Sequence, residues 1–201
     1  MARKFECLAE VWRSQFHMNY YFLTPGPSSY SYGDVSFTPP IENYSKFGSG
    51  LQTLSADSCS LDIKKSSRIL QSDWFSVNLG WVGSEVFRDV FDEGDVNAVK
   101  IDSIVSRTIN LEVKKNYYFY EVARQVDCFD LQKSKYSRSR GLVRVCSKCV
   151  LDLDKVAGRN YFFVDGICNF NLVVSEHFVN RISANLKGVD LVNVDDAQWR
   201  V

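Results

Sequence analysis

Cys146 and Cys149, in RVCSKCVLD, form the one C-x-x-C of the chain, a spacing at which paired thiolates hold zinc or exchange a disulfide. Zinc needs two further ligands. The only histidines, His17 and His177, stand in no metal-ligand spacing, and no second C-x-x-C is present. A redox dithiol opens a helix after a βαβ-type strand, which this motif does not do. The pair reads as two small residues on one extended segment, and neither a metal nor another cofactor is expected. Carboxylates are the other source of chemistry, clustered as Asp92, Glu93 and Asp95 and as Asp195 and Asp196, and paired carboxylates can work as general acid and base. These clusters fall at a helix end and near the chain terminus, where solvated capping accounts for them. No His, Cys or Ser constellation stands beside them in sequence, so no catalytic residue is assigned and an enzyme is not expected.

The remaining concentration of functional residue types is basic. LQKSKYSRSRGLVRV, residues 131–145, carries Lys133, Lys135, Arg138, Arg140 and Arg144 between two expected strands. A basic hairpin tip is commonly just solvated, but clustered charge also steers an acidic partner when the net charge is zero. Tyrosine and arginine are the types that most often anchor interfaces. Lys133, Lys135, Tyr136, Arg138 and Arg140 are therefore the candidate partner-binding residues, with the proline-rich loop of residues 24–50 as the alternative location.

With 201 residues, 45% apolar and 24% charged, the chain has the size and composition of a single domain able to bury its own core. The formal charge of +0 gives no global attraction to nucleic acid or to a membrane surface. No stretch has the apolar length of a secretory signal or a bilayer span, so a soluble, cytoplasmic protein is expected. Six cysteines in that setting read as reduced thiols.

These residues must be positioned by regular elements. All four prolines, Pro25, Pro27, Pro39 and Pro40, precede residue 41, and with nearby glycines and serines they predict that residues 24–67 are mostly loop. Further on, VNLGWVGSEVF and FNLVVSEHF each run from an apolar segment into Ser-Glu. Ser84 and Ser175 are placed as helix N-caps, with Val86, Phe87, Val90 and Phe91 on one buried helical face and Phe178, Val179, Ile182 and Leu186 on the other. Strands are predicted after each, at residues 96–104 and 189–194. A carboxylate at Glu85 and Glu176 suits the positive end of a helix. NYYFL (19–23), NYYFYEV (116–122) and NYFFVDG (160–166) predict three aromatic strands, read as packing rather than as a base-stacking platform. The expected fold class is α+β: an antiparallel or mixed sheet of aromatic-rich strands with two similar strand-helix-strand units packed on it.

The order of the pieces resembles immunity family eleven of bacterial polymorphic-toxin systems, a family first described as domain of unknown function sixteen twenty-nine. The resemblance rests on MNYYFL from Met18, the Ser84-Glu85 segment and YYFYEV. It continues through a V-D-x-x-D-x-x-x-S segment matched by Val126, Asp127, Asp130 and Ser134, a basic strand and YFFV. The closing L-V-V-S-E-x-F and G-V-x-L lie within residues 172–191. It covers about residues 18–194 and leaves residues 1–17 as an N-terminal extension to a single domain of residues 18–201. What it implies is a protein that binds a cognate toxin and blocks it stoichiometrically; with the neutral charge balance, no membrane, nucleic-acid or small-molecule partner is expected beside the toxin. The family carries no catalytic signature. A small enzyme and a nucleic-acid-binding protein are the alternative readings of the residues.

Overall fold

The computed structural model of the chain describes residues 18–26, 33–38, 57–63, 72–77, 80–91, 96–106, 115–122, 125–168, 171–182 and 186–200. Within them the protein is mostly β, with two short α-helices, α1 (Leu153–Val156) and α2 (Glu176–Arg181). This corrects the expected α+β class. The helix placed after Ser84 is a single 3-10 turn, Glu85–Phe87, and the one after Ser175 is α2, six residues long. Phe87, Phe91, Phe178 and Ile182 are buried at the spacing that suggested long helices, but one helical turn followed by a bend is enough to bury an i, i+4 pair.

Three sheets stack in layers. A six-stranded sheet contains β2 (Gly33–Thr38), β3 (Ser58–Ile63), β4 (Trp74–Val77), β5 (Gly80–Ser84), β6 (Val96–Ser106) and β7 (Tyr117–Val122), in the order β2-β3-β6-β7-β5-β4. Strands β2 and β3 lie in the segment expected to be loop. Their short alternation, with Phe37 against Cys59, Leu61 and Ile63, is easily missed among serines and aspartates. Phe37 on the edge strand touches Phe119 on β7 at 5.1 Å, edge to face, so the sheet curls over its own apolar face.

A five-stranded sheet contains β1 (Tyr20–Pro25), β8 (Gln125–Val126), β11 (Tyr161–Val164), β12 (Leu172–Ser175) and β13 (Val189–Asn193), in the order β13-β1-β12-β11-β8. Alternation along its strands divides two cores, since Tyr20, Phe22, Phe162 and Val173 face one way and Leu23, Tyr161, Leu172 and Val174 the other. The second set meets Trp74, Phe87, Phe91, Tyr118 and Tyr120 from the six-stranded sheet in a central aromatic core. The first set is covered by a three-stranded sheet of β9 (Lys135–Ser139), β10 (Leu142–Lys148) and β14 (Trp199–Arg200), ordered β14-β10-β9.

The two large sheets contain the same four-stranded unit. Tyr117 pairs with Ser84 and Phe119 with Val82, as Tyr20 pairs with Ser175 and Phe22 with Val173. On the far side, Val96 pairs with Val122 and Val99 with Phe119, as Val189 pairs with Pro25 and Val192 with Phe22. Trp74 and Phe75 oppose Gly83 and Val82, as Tyr161 and Phe162 oppose Val174 and Val173. In the first unit the strands follow one another as β4, β5, β6, β7. In the second they are β11, β12, β13 and then β1, so the N-terminal strand fills the place that β7 fills in the first. The recurrent NYYF and Ser-Glu phrases are thus partners, one on each of two adjacent strands.

Candidate partner-binding hairpin

Strands β9 and β10 form a hairpin closed by Arg140 and Gly141, both with positive φ, 53° and 82°. Two successive left-handed residues make the type I′ turn whose twist suits paired strands, with glycine at the position that tolerates it best. Two register shifts interrupt β10, one between Val143 and Val145 and one between Cys146 and Lys148, each leaving one residue of β10 without an opposite number.

The base of the hairpin is fixed by the V-D-x-x-D-x-x-x-S segment. Asp130 Oδ1 accepts the backbone N–H groups of Gln132 and Lys133, each at 3.0 Å, which turns the chain into β9. Ser134 Oγ accepts from the Val150 N–H at 3.0 Å and donates to the Val150 carbonyl at 3.3 Å, clipping the start of β9 to the residues that follow β10. The Asp130 N–H donates to the same carbonyl at 2.9 Å, and Phe129 pairs with Leu151. Val126 is buried in the core beneath, and Asp127 is exposed, 3.7 Å from Lys155 Nζ.

The five candidate residues are placed unequally. Tyr136 is half-buried, its ring edge-on to Phe129 at 5.5 Å, and the Arg138 guanidinium lies 5.6 Å from the Tyr136 centroid. The contacts with Phe129 and with the guanidinium orient the Tyr136 ring before any partner arrives. Arg140 is exposed at the turn. Lys135 is exposed and pairs across the ladder with Lys148. Lys133 is different, since its ammonium sits 2.9 Å from Asp130 Oδ2 and is neutralised locally. Tyr136, Arg138 and Arg140 are thus brought together, while Lys133 belongs to the footing.

Two basic residues that sequence reasoning did not assign to the hairpin stand on the solvent face of its sheet, beside Lys135 and Ser137. Lys148 would follow Cys146 onto the inner face if β10 alternated regularly from there, but the bulge between them shifts it to the solvent face beside Lys135. Arg200 arrives through β14, whose pairing sets Ser137, Val145 and Arg200 side by side across the three strands. No Asp or Glu occurs from Leu131 to Val150, so the hairpin's charge is of one sign.

Asp92, Glu93, Asp95 and His17 lie outside the described residues. Asp195 and Asp196 are exposed in a 3-10 turn, where the Asp195 N–H donates to Asn193 Oδ1. Burial pushes the Cys128 thiol up to about 12 and those of Cys146 and Cys149 above their ordinary value, which leaves them protonated in the core between the two sheets. Among the described residues no group of three or more His, Cys, Asp or Glu is placed to hold a metal, and no helix is long and apolar enough to cross a membrane.

Compared with known families, residues 14–196 match the immunity protein family Imm11. The chain belongs to this family. No curated protein matches it. The matched span opens ahead of Met18, inside the segment that the sequence reading set apart as an extension, and it takes in the whole of the hairpin and both four-stranded units. In this Imm11 member the V-D-x-x-D-x-x-x-S segment therefore has a structural task, the anchoring of a basic hairpin.

Proposed function

We propose that the protein binds a cognate bacterial toxin and neutralises it by stoichiometric protein–protein inhibition, with the β9–β10 hairpin as its contact surface. Membership of an immunity protein family is the observation that supports the role. What supports the surface is that Tyr136 and Arg138 are pre-arranged beside Arg140 on a hairpin without a single carboxylate. An inhibitor of this kind needs shape and charge complementarity rather than chemistry of its own. It would act in the cytoplasm, without a cofactor, membrane, nucleic acid or small-molecule substrate.

The test is coexpression with the product of the toxin-domain gene adjacent to this chain's own gene. Growth should be restored and the two proteins should copurify in a fixed ratio. Reversing charge at Arg138 and Arg140 should slow association and change its dependence on salt. An adjacent toxin that is neither bound nor neutralised would remove the role. Unaltered binding by the reversed variant would remove the hairpin while leaving the role in place.

A further inference from the structure

Strand β9 is the outer strand of its sheet, and no described strand pairs with its far edge. Which of its backbone groups face that edge follows from two independent observations. In a hairpin closed by a two-residue turn the flanking residues, here Ser139 and Leu142, form the hydrogen-bonded pair, so the Ser139 N–H and C=O point at β10. At the other end, Ser147 Oγ on β10 donates to the Lys135 carbonyl at 3.4 Å, so Lys135 points the same way. Alternation then turns the N–H and C=O groups of Tyr136 and Arg138 outward, away from β10. A row of outward backbone groups is the template on which another extended segment adds as a strand.

The charges restrict the occupant. A second copy of this chain would set Lys135, Arg138 and Arg140 against their own counterparts, and like charges opposite one another oppose pairing. An extended segment bearing carboxylates meets the same residues favourably. On the basis of the proposed inhibitory role, we propose that the toxin is held by strand addition: an acidic, extended segment of the toxin pairs with the outer edge of β9, bonding to the backbone of Tyr136 and Arg138 while its carboxylates meet Arg138, Arg140 and Lys135.

The proposal is tested with the full chain and the adjacent toxin, by comparing Arg138→Ala with Arg138→Pro. Both remove the charge. Only proline removes the outward N–H, and since that group does not serve the β9–β10 ladder, the melting temperatures of the two variants should agree. Arg138→Ala should slow association a few-fold, whereas Arg138→Pro should in addition raise the dissociation rate tenfold or more. Arg140→Pro is not a substitute, because φ is positive there. As a second measurement independent of proline, amide exchange at Tyr136 and Arg138 should be protected on complex formation. Equal dissociation rates for the two variants together with unprotected amides would overturn strand addition while leaving the hairpin as the contact. A wild-type chain that does not bind the toxin would instead overturn the inhibitory role itself.

Discussion

Asn116 and Glu85 hold each other at two points: Asn116 Nδ2 donates to Glu85 Oε2 at 2.8 Å, and the Glu85 N–H donates to the Asn116 carbonyl at 3.0 Å. Asn19 and Glu176 repeat both contacts at 3.0 and 2.8 Å. The likeness extends inward, since Ser84 and Ser175 donate from both N–H and Oγ to Asp73 and Asn160 respectively. The recurrence of Ser-Glu in the sequence thus marks a repeated joint between an aromatic strand and its neighbour.

The exposed and buried parts of this joint should differ in energetic weight. Asn116→Ala loses one exposed side-chain bond and is expected to cost about 0.5–1 kcal/mol. Ser84→Ala removes one of the donors to the buried Asp73 carboxylate, and Ser175→Ala removes the hydroxyl that accepts the Phe178 N–H at 3.1 Å, so each should cost about 1–3 kcal/mol. Urea denaturation of the three variants gives the order, and an Asn116 variant as damaging as the serine variants would contradict it.

Phe87 and Phe178 are fully buried in the central core, and Phe91 bridges them with ring centroids 6.3 and 5.3 Å away. Phe87→Ala and Phe178→Ala should each cost about 3–5 kcal/mol. Because Phe91 and Phe178 come from the two different units, a double-mutant cycle between them should show a coupling of about 0.5–1.5 kcal/mol. Strict additivity would mean that the units do not stabilise one another through this contact.

The sequence made the joints legible and left their pairing hidden. Phase and composition locate a strand at NYYF and a helix start at Ser-Glu, because both depend on neighbours in the chain. That Asn116 belongs with Glu85 and Asn19 with Glu176 depends on contacts across 31 and 157 residues. The helix capped by Ser175 forms but ends after six residues, and the one placed after Ser84 is reduced to a 3-10 turn, for a related reason. Four apolar residues at helical spacing fit a long helix and a single turn plus bend equally well, and the sheets on either side decide between them. In the hairpin, the basic residue types were visible and the face of Lys148 was not, since a bulge inverts the parity on which such a reading relies.

Asp73 is the acidic counterpart of Asn160 and gives the fold a pH dependence. Burial works against its charge. Lys115 Nζ at 2.6 Å, the Lys187 N–H at 2.8 Å and Ser84 Oγ at 2.8 Å outweigh that, so its carboxyl is held below the ordinary carboxylate range. A folded pKa below the unfolded one stabilises above the unfolded value near 4 and loses that contribution as pH falls through the folded value. Asp73→Asn should therefore be less stable than wild type at pH 7, with the difference narrowing below about pH 4. Thermal melts of both proteins across that window check the sign, and a gap that widens towards acid would refute the assignment.

Five of the six cysteines, Cys59, Cys128, Cys146, Cys149 and Cys168, are free and buried, and the remaining one, Cys7, lies outside the described residues. These five thiols should resist a thiol reagent in the native protein and react together on unfolding, because burial denies the reagent access to them. All six should titrate under denaturing, non-reducing conditions. Loss of two from that total would indicate a bridge.

The last expectation concerns which face of the three-stranded sheet meets the toxin. Tyr136 and Arg138 share a face with the buried Cys146 and Val143, while Lys135, Lys148 and Arg200 share the opposite, solvent face with Ser137 and Val145. A partner added along the edge of β9 contacts Arg138 and Arg140 directly and reaches Lys135, but Arg200 lies two strands away. Charge reversal at Arg138 and Arg140 should thus lower affinity by tenfold or more and steepen its loss at low salt through repulsion. Reversal at Arg200, alone or with Lys148, should change the association rate by no more than about threefold and leave dissociation unaltered, as distant rim charges do. Were Arg200 and Lys148 to govern dissociation instead, the partner would have to lie flat on the solvent face, and edge pairing would give way to face packing.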